Sequence, residues 1–342
     1  MFTLGRIATL EPPEVEEHEI ALRASNGARL LRFEGKSAWP DCRSMKTIGL
    51  TLLLFAAPML AAQAADKIKV ASFSTIDTEI VQQVGDDHVE VAALVKPGVD
   101  PHEYEPTPAD LRKVNDGQLI LTSGKHMENY LNKLQEATGG KADLLKVGDH
   151  FSSLKMKPGE GENGMDKSGM IEDPHWWHSV ANVKQATKII RDELIKLDPA
   201  DKADFEKNMN AYLAKLDDLD DWVKRKVAEL PRDKRKLVTS HDAFQYFARD
   251  YGFKIEAIEG VNTETEASNR HVSELIDDIK KQGVKAIFLE STLNPKVTSQ
   301  ITRETGVKIG GTLYADGLGP GEASTYEGMM KHNVSTIVDS LK

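Results

Sequence analysis

The run Phe205-Glu206-Lys207-Asn208-Met209-Asn210-Ala211-Tyr212-Leu213-Ala214-Lys215-Leu216-Asp217-Asp218-Leu219-Asp220-Asp221-Trp222-Val223-Lys224-Arg225-Lys226-Val227-Ala228-Glu229-Leu230 decides how this chain is divided. Its apolar residues (Phe205, Met209, Tyr212, Leu213, Leu216, Leu219, Trp222, Val223, Val227, Leu230) recur at steps of three and four, which is one stripe of an α-helix. Pro231 lies just past the end. At about 1.5 Å per residue such a helix runs on the order of 45 Å, the width of a whole domain. Strand–helix alternation lies on both sides of it, so the pattern predicts a connector between two lobes.

Working back from that helix, a second helical pattern spans about Val180 to Leu197 and breaks at Asp198-Pro199. Before it stands Asp173-Pro174-His175-Trp176-Trp177-His178-Ser179. Asp-Pro enforces extended or turn backbone and presents His175 beside two indoles. Further upstream, strands are expected over Lys67–Phe73, Val89–Val95, Gln118–Thr122 and Leu144–Val147. Helices are expected from Thr75, from Thr107-Pro108 (an N-cap followed by proline at the first helical position) and over His126–Ala137. Downstream of Pro231 the alternation resumes. Strands are expected at Lys236–Ser240, Lys254–Glu259, Val284–Glu290 and Val307–Leu313, with helices between them and a last helix over Glu322–Leu341. This is an α/β fold of two mostly parallel lobes joined by a long rigid connecting helix. The boundaries read as residues 66–178 for the first lobe, with a mobile loop at 150–172, then 179–230 for the connecting helices and 231–342 for the second lobe.

The first 65 residues read differently. From Met45, a basic start at Lys46, an apolar run from Ile48 to Leu60 and Ala62-Gln63-Ala64 make a signal peptide over residues 45–65. Residues 1–44 then read as an extension ahead of the true start of translation. The single cysteine, Cys42, precedes the signal, so the exported protein has no disulfide, no thiolate ligand and no lipid-anchoring cysteine. It is expected free in a periplasm. The net charge of -10, with no Lys/Arg-rich block, argues against a nucleic-acid partner.

Three residues stand just past predicted strands: His102 in the loop Lys96-Pro97-Gly98-Val99-Asp100-Pro101-His102, His241 after Lys236–Ser240, and Asp316 after Val307–Leu313. In open α/β sheets, ligands bind outside the carboxyl ends of the strands. With His175 they form a candidate set of three imidazoles and one carboxylate, two from each lobe, facing one cleft. Such a donor set suits Zn²⁺, whereas manganese or ferrous iron draws more oxygen ligands. Affinity should fall below about pH 6.5 as the imidazoles protonate.

Four segments carry a specific resemblance: Asp100-Pro101-His102-Glu103-Tyr104-Glu105-Pro106-Thr107, Asp173-Pro174-His175-Trp176, Thr239-Ser240-His241-Asp242-Ala243-Phe244-Gln245-Tyr246-Phe247, and Tyr314-Ala315-Asp316-Gly317-Leu318 followed by Tyr326 and Met329-Met330. In this order the chain resembles the periplasmic solute-binding proteins of ABC transporters for zinc, manganese and iron. The resemblance implies ligands at His102, His175, His241 and Asp316, and delivery of the ion by a monomer to a membrane permease, with a periplasmic metallochaperone as a further possible partner. In that family the third ligand is glutamate in manganese and iron members and histidine in zinc members, so His241 points to a zinc-type member that transports Zn²⁺. The 150–172 segment departs from the histidine-rich loop of many zinc members: it holds only His150, scattered acids such as Glu160, Glu162 and Asp166, and Met156, Met165 and Met170.

Three alternative readings remain open. They are a manganese- or iron-binding member, a zinc-dependent hydrolase and a metal-binding adhesin. A fourth protein ligand closes the shell that a hydrolase keeps open, and no separate general base is evident, so the chain is expected not to be an enzyme. His126 and His178 are candidates for orienting a ligand, although solvent-facing or helix-packing places suit them better. Glu290 is placed to bond either an imidazole or a backbone amide. Trp176 and Trp177 read as packing, and His88, His271 and His332 as surface residues.

Overall fold

Four parallel strands, β1 (Ile68–Ser72), β2 (Val89–Ala93), β3 (Leu119–Thr122) and β4 (Asp143–Lys146), make a first sheet in the order β2-β1-β3-β4. The structure, a computed structural model, describes residues 66–158, 165–261, 263, 268–291 and 296–342. The expected signal peptide, the 1–44 extension, Glu160 and Glu162 lie outside the described residues. β3 is buried along its whole length, as a strand covered by helices on both faces must be. The covering helices are α1 (Thr75–Gly85), α2 (Pro108–Asp116) and α3 (Leu131–Thr138).

Local chemistry sets where these helices begin. Ser74 caps α1 by accepting from the Asp77 N–H. Thr107 and Asp110 form a reciprocal capping box on α2, with Pro108 at its first turn. α3 starts later than expected. Residues 124–126 all take positive φ (Gly124 76°, Lys125 53°, His126 63°), which ends any helix there. A short antiparallel pair absent from the sequence reading, β5 (Lys155–Met156) with β6 (Ile171–Glu172), closes the base of the 150–172 segment.

Helix α4 (Val180–Leu197) begins at a Ser179 cap that accepts from Asn182 N–H, and α5 (Lys202–Ala228) follows the Asp198-Pro199 break. The predicted stripe of α5 is buried at Phe205, Met209, Tyr212, Leu216, Leu219, Val223 and Val227. It packs on α1 and α4 on the first-sheet side and on α9 (Tyr326–Leu341) on the other. One apolar core therefore runs from Ile68 and Val70 through this stripe to Leu313, Tyr326 and Leu341.

The second sheet uses β7 (Lys236–Thr239), β8 (Lys254–Ala257), β9 (Ala286–Glu290) and β10 (Lys308–Leu313) in the order β10-β9-β7-β8, again all parallel. Helices α6 (Gln245–Tyr251), α7 (Asn269–Gln282) and α8 (Lys296–Thr305) connect its strands. The helix expected from Glu322 is a 3₁₀ turn over Gly321–Ser324, and α9 starts anew at the Thr325 cap. Both sheets reverse strand order beside their first strand, between β1 and β3 and between β7 and β9, which opens a crevice at the carboxyl ends of those strands.

Candidate metal centre

All four sequence candidates meet. His102, His175, His241 and Asp316 are buried, and one donor atom from each lies within 4.8 Å of the others. His175 Nε2 is 3.2 Å from both His102 Nε2 and His241 Nε2. Asp316 Oδ1 lies 3.7, 3.5 and 3.2 Å from the Nε2 atoms of His102, His175 and His241 respectively. Donors arranged tetrahedrally at about 2.0–2.2 Å from a shared ion are roughly 3.3–3.6 Å apart, so the spacing fits one four-coordinate cation.

Each donor is aimed by its own chain. His102 and His175 sit in the same tripeptide, Asp-Pro-His, and in both the aspartate folds back: Asp100 Oδ1 accepts His102 N–H at 2.8 Å and Asp173 Oδ1 accepts His175 N–H at 2.9 Å. Proline holds the turn and the aspartate closes it. Asp173 Oδ1 is also 2.9 Å from His175 Nδ1. A proton held on Nδ1 by a carboxylate leaves the Nε2 lone pair for an ion.

His241 follows β7 at the reversal point of the second sheet. Glu290, the last residue of β9, accepts the backbone N–H groups of Ser240 (2.9 Å) and His241 (3.1 Å) with Oε1, while its Oε2 bonds His241 Nδ1. The two readings open for Glu290 in the sequence are thus both realised. Asp316 is aimed from the other side of the cleft. The Ala315 carbonyl accepts both Trp177 Nε1–H and His178 Nε2–H, each at 2.8 Å, and Thr75 Oγ1 accepts Leu318 N–H at 2.8 Å.

His178 is therefore neither solvent-facing nor merely packed. Its ring lies against Phe244, with centroids 4.3 Å apart, and it bonds the residue next to Asp316. Burial, aided by the neighbouring His175, pushes its pKa down to about 3, so it stays a neutral donor. Trp176 and Trp177 pack but also donate, Trp176 Nε1–H to the Ser123 carbonyl at 3.0 Å. His126 is exposed, as are Glu103 and Glu105. His271 and His332 are exposed and bond the backbone carbonyls of Ala257 and Thr312. Half-buried His88 pairs with Asp201 at 2.5 Å.

The site is electrostatically coupled. Burial disfavours charge on His241, but Glu290 and then Asp316 outweigh it and raise its pKa well above the imidazole range. His175 is raised in the same way, burial being overcome by Asp173 and Asp316. Asp316 is held well below the carboxylate range, because His241, His102 and His175 overcome its burial. The residues that sequence reasoning missed are Asp100 and Asp173. The repeated Asp-Pro-His was the available signal.

The family described as "Zinc-uptake complex component A periplasmic" matches residues 70–340. The chain is 33% identical over 291 residues to the manganese-binding lipoprotein MntA of Bacillus subtilis, covering 82% of this chain and 92% of that protein. It is 34% identical to the iron-binding protein YfeA of Yersinia pestis, covering 80% and 86%. The solved periplasmic zinc binding protein TroA from Treponema pallidum superposes with a TM-score of 0.73 at 32% identity, over 80% of this chain and 99% of that one. These relatives are binding proteins, not enzymes, and they take different metals. The chain accordingly belongs to the zinc-uptake component A family, the extracytoplasmic metal-binding proteins that serve ABC transporters.

Proposed function

We propose that this protein captures Zn²⁺ between His102, His175, His241 and Asp316 and passes it, as a monomer, to the permease of an ABC transporter. The observation that carries the reading is the donor set itself: three Nε2 atoms and one carboxylate oxygen, with His175 Nε2 and Asp316 Oδ1 each 3.2–3.7 Å from the other donors. That is a nitrogen-rich, four-coordinate cage, which suits zinc. Oxygen-rich, six-coordinate surroundings suit manganese instead. Export by the signal peptide at residues 45–65, without a lipid anchor, completes the proposal.

A second reading, manganese uptake, is favoured by one observation: two of the relatives are named manganese-binding lipoproteins and two more are named manganese ABC transporter substrate-binding lipoproteins. Competitive titration of the metal-free protein with zinc and manganese separates the two, with His241→Ala and His241→Glu variants alongside. Zinc preference in the wild type that weakens in His241→Glu supports the zinc reading. Equal binding of the two metals, or a silent His241→Ala, overturns it. Bound zinc at 100 times its Kd should also stabilise the fold by about 2.7 kcal/mol, read as a rise in Tm.

A further inference from the structure

The turn after β3 holds two adjacent non-glycine residues with positive φ, the one such run among the described residues. Gly124, Lys125 and His126 are consecutive and all left-handed, and the only other described non-glycine residue with positive φ is Asp86. Non-glycine residues persist there only where their surroundings over-determine them, and such places cluster at functional sites.

The determinants are two carboxylates, Glu128, which is buried, and Asp149, which is exposed. Glu128 Oε1 accepts Ser123 N–H at 2.7 Å and Oε2 accepts Gly124 N–H at 3.2 Å. Asp149 Oδ1 accepts Lys125 N–H at 2.8 Å, and Lys125 Nζ donates to the Phe151 carbonyl at 2.9 Å. So fixed, the turn presents the Ser123 carbonyl to two donors, Gly148 N–H at 2.9 Å and the Trp176 indole N–H at 3.0 Å. A side chain at Gly148 would come within 2.5 Å of that carbonyl and 2.9 Å of the Trp176 ring, so only glycine permits the approach. Trp176 is wholly buried and follows His175 directly. Its ring stands edge-on to Trp177 at 5.9 Å, and Trp177 in turn stands edge-on to His175 at 5.4 Å and bonds the Ala315 carbonyl next to Asp316.

We infer that Glu128, acting through the left-handed turn 124–126 and the Trp176 indole, is a positioning residue for the metal site that presets His175 and Asp316 before the ion arrives. The inference rests on the ligand reading above. A preset cage loses less freedom on binding, and groups behind the donors typically shift metal affinity about 10- to 100-fold.

The test uses Glu128→Gln, whose amide can accept with only one of its two terminal atoms, and Trp176→Phe, which removes the indole N–H while Glu128 stays. Zn²⁺ affinity is measured for both, together with the visible absorption of bound Co²⁺, which reports donor geometry and is not moved by a loss of stability alone. The expected result is a zinc affinity at least about tenfold weaker in both variants and a changed cobalt spectrum. Wild-type affinity and spectrum in either variant, even with a lowered Tm, overturn the inference. Should Glu128→Gln fail to fold, Trp176→Phe alone decides. A His175→Ala control keeps the two claims apart: if it still binds zinc, the ligand reading fails, whereas if it loses zinc and Trp176→Phe does not, only the positioning role fails.

Discussion

Asp173 and His175 are joined twice through one atom: Asp173 Oδ1 lies 2.9 Å from both the backbone nitrogen and the ring Nδ1 of His175. One carboxylate oxygen thus sets the turn and the imidazole tautomer together. Its twin, Asp100, sets only the backbone of His102 and spends its other oxygen on Thr263 Oγ1 at 2.8 Å. Removing Asp173 should therefore weaken the site through geometry and tautomer at once. Asp173→Ala is expected to lower zinc affinity about 10- to 100-fold. Asp173→Asn keeps an acceptor but no charge and should lose less. Competitive chelator titration of the three proteins checks the order.

Proton competition should govern metal binding. His175 and His241 carry raised pKa values without metal, so protons occupy them at pH values where an ordinary imidazole is neutral. Binding must expel those protons, and affinity should keep rising with pH past about 6.5 before it levels off. Glu290→Gln removes the larger of the two charges that raise His241. Its rising limb should move to lower pH, while its plateau affinity falls. Zinc titrations from about pH 5 to pH 9 test both halves of this expectation.

Three buried acids make the fold itself sensitive to pH. Burial pushes Glu79 and Asp77 up to about 7 and Glu128 up to about 8. A carboxyl with a raised folded pKa holds its proton longer folded than unfolded. Its contribution to stability is fully present below the ordinary carboxylate range and is lost as pH rises through about 7 to 8. Glu79 accepts from the Tyr326 N–H at the start of α9 and from Tyr212 Oη–H on α5, so this loss is felt where three helices meet. Urea midpoints of the metal-free protein should decline across this window, and less steeply in Glu79→Gln.

Gly317 marks a close approach across the cleft. A Cβ there would stand 2.5 Å from Thr75 Oγ1, the hydroxyl that accepts Leu318 N–H. Gly317→Ala must displace either that hydroxyl or the Asp316 turn. A destabilisation of about 1–3 kcal/mol is expected, read from urea unfolding at constant m, together with weaker zinc binding. Unchanged affinity with lowered stability would place the adjustment at Thr75 alone.

Much of this molecule was legible in one dimension. All eight main strands, the Thr107-Pro108 helix start and the Phe205–Val227 stripe follow from period, cap and proline, which act over a few residues. His102, His175, His241 and Asp316 were legible because each follows turn chemistry or a strand end. Only the start of the His126–Ala137 helix misled: α3 begins at Leu131, because Glu128 and Asp149 hold residues 124–126 left-handed.

The sequence by itself determined the local elements, the two-lobed alternation and which four side chains are candidates to hold a metal. Only the tertiary structure decided that Glu290 backs His241, that Glu128 holds the turn behind Trp176, and that His178 and Trp177 share the carbonyl beside Asp316. The pairs His241–Glu290, Ser123–Trp176, His178–Ala315 and Trp177–Ala315 lie 49, 53, 137 and 138 residues apart. Burial forces every polar group to find a partner, but which partner it finds depends on how the sheets and helices pack, and no local pattern encodes that.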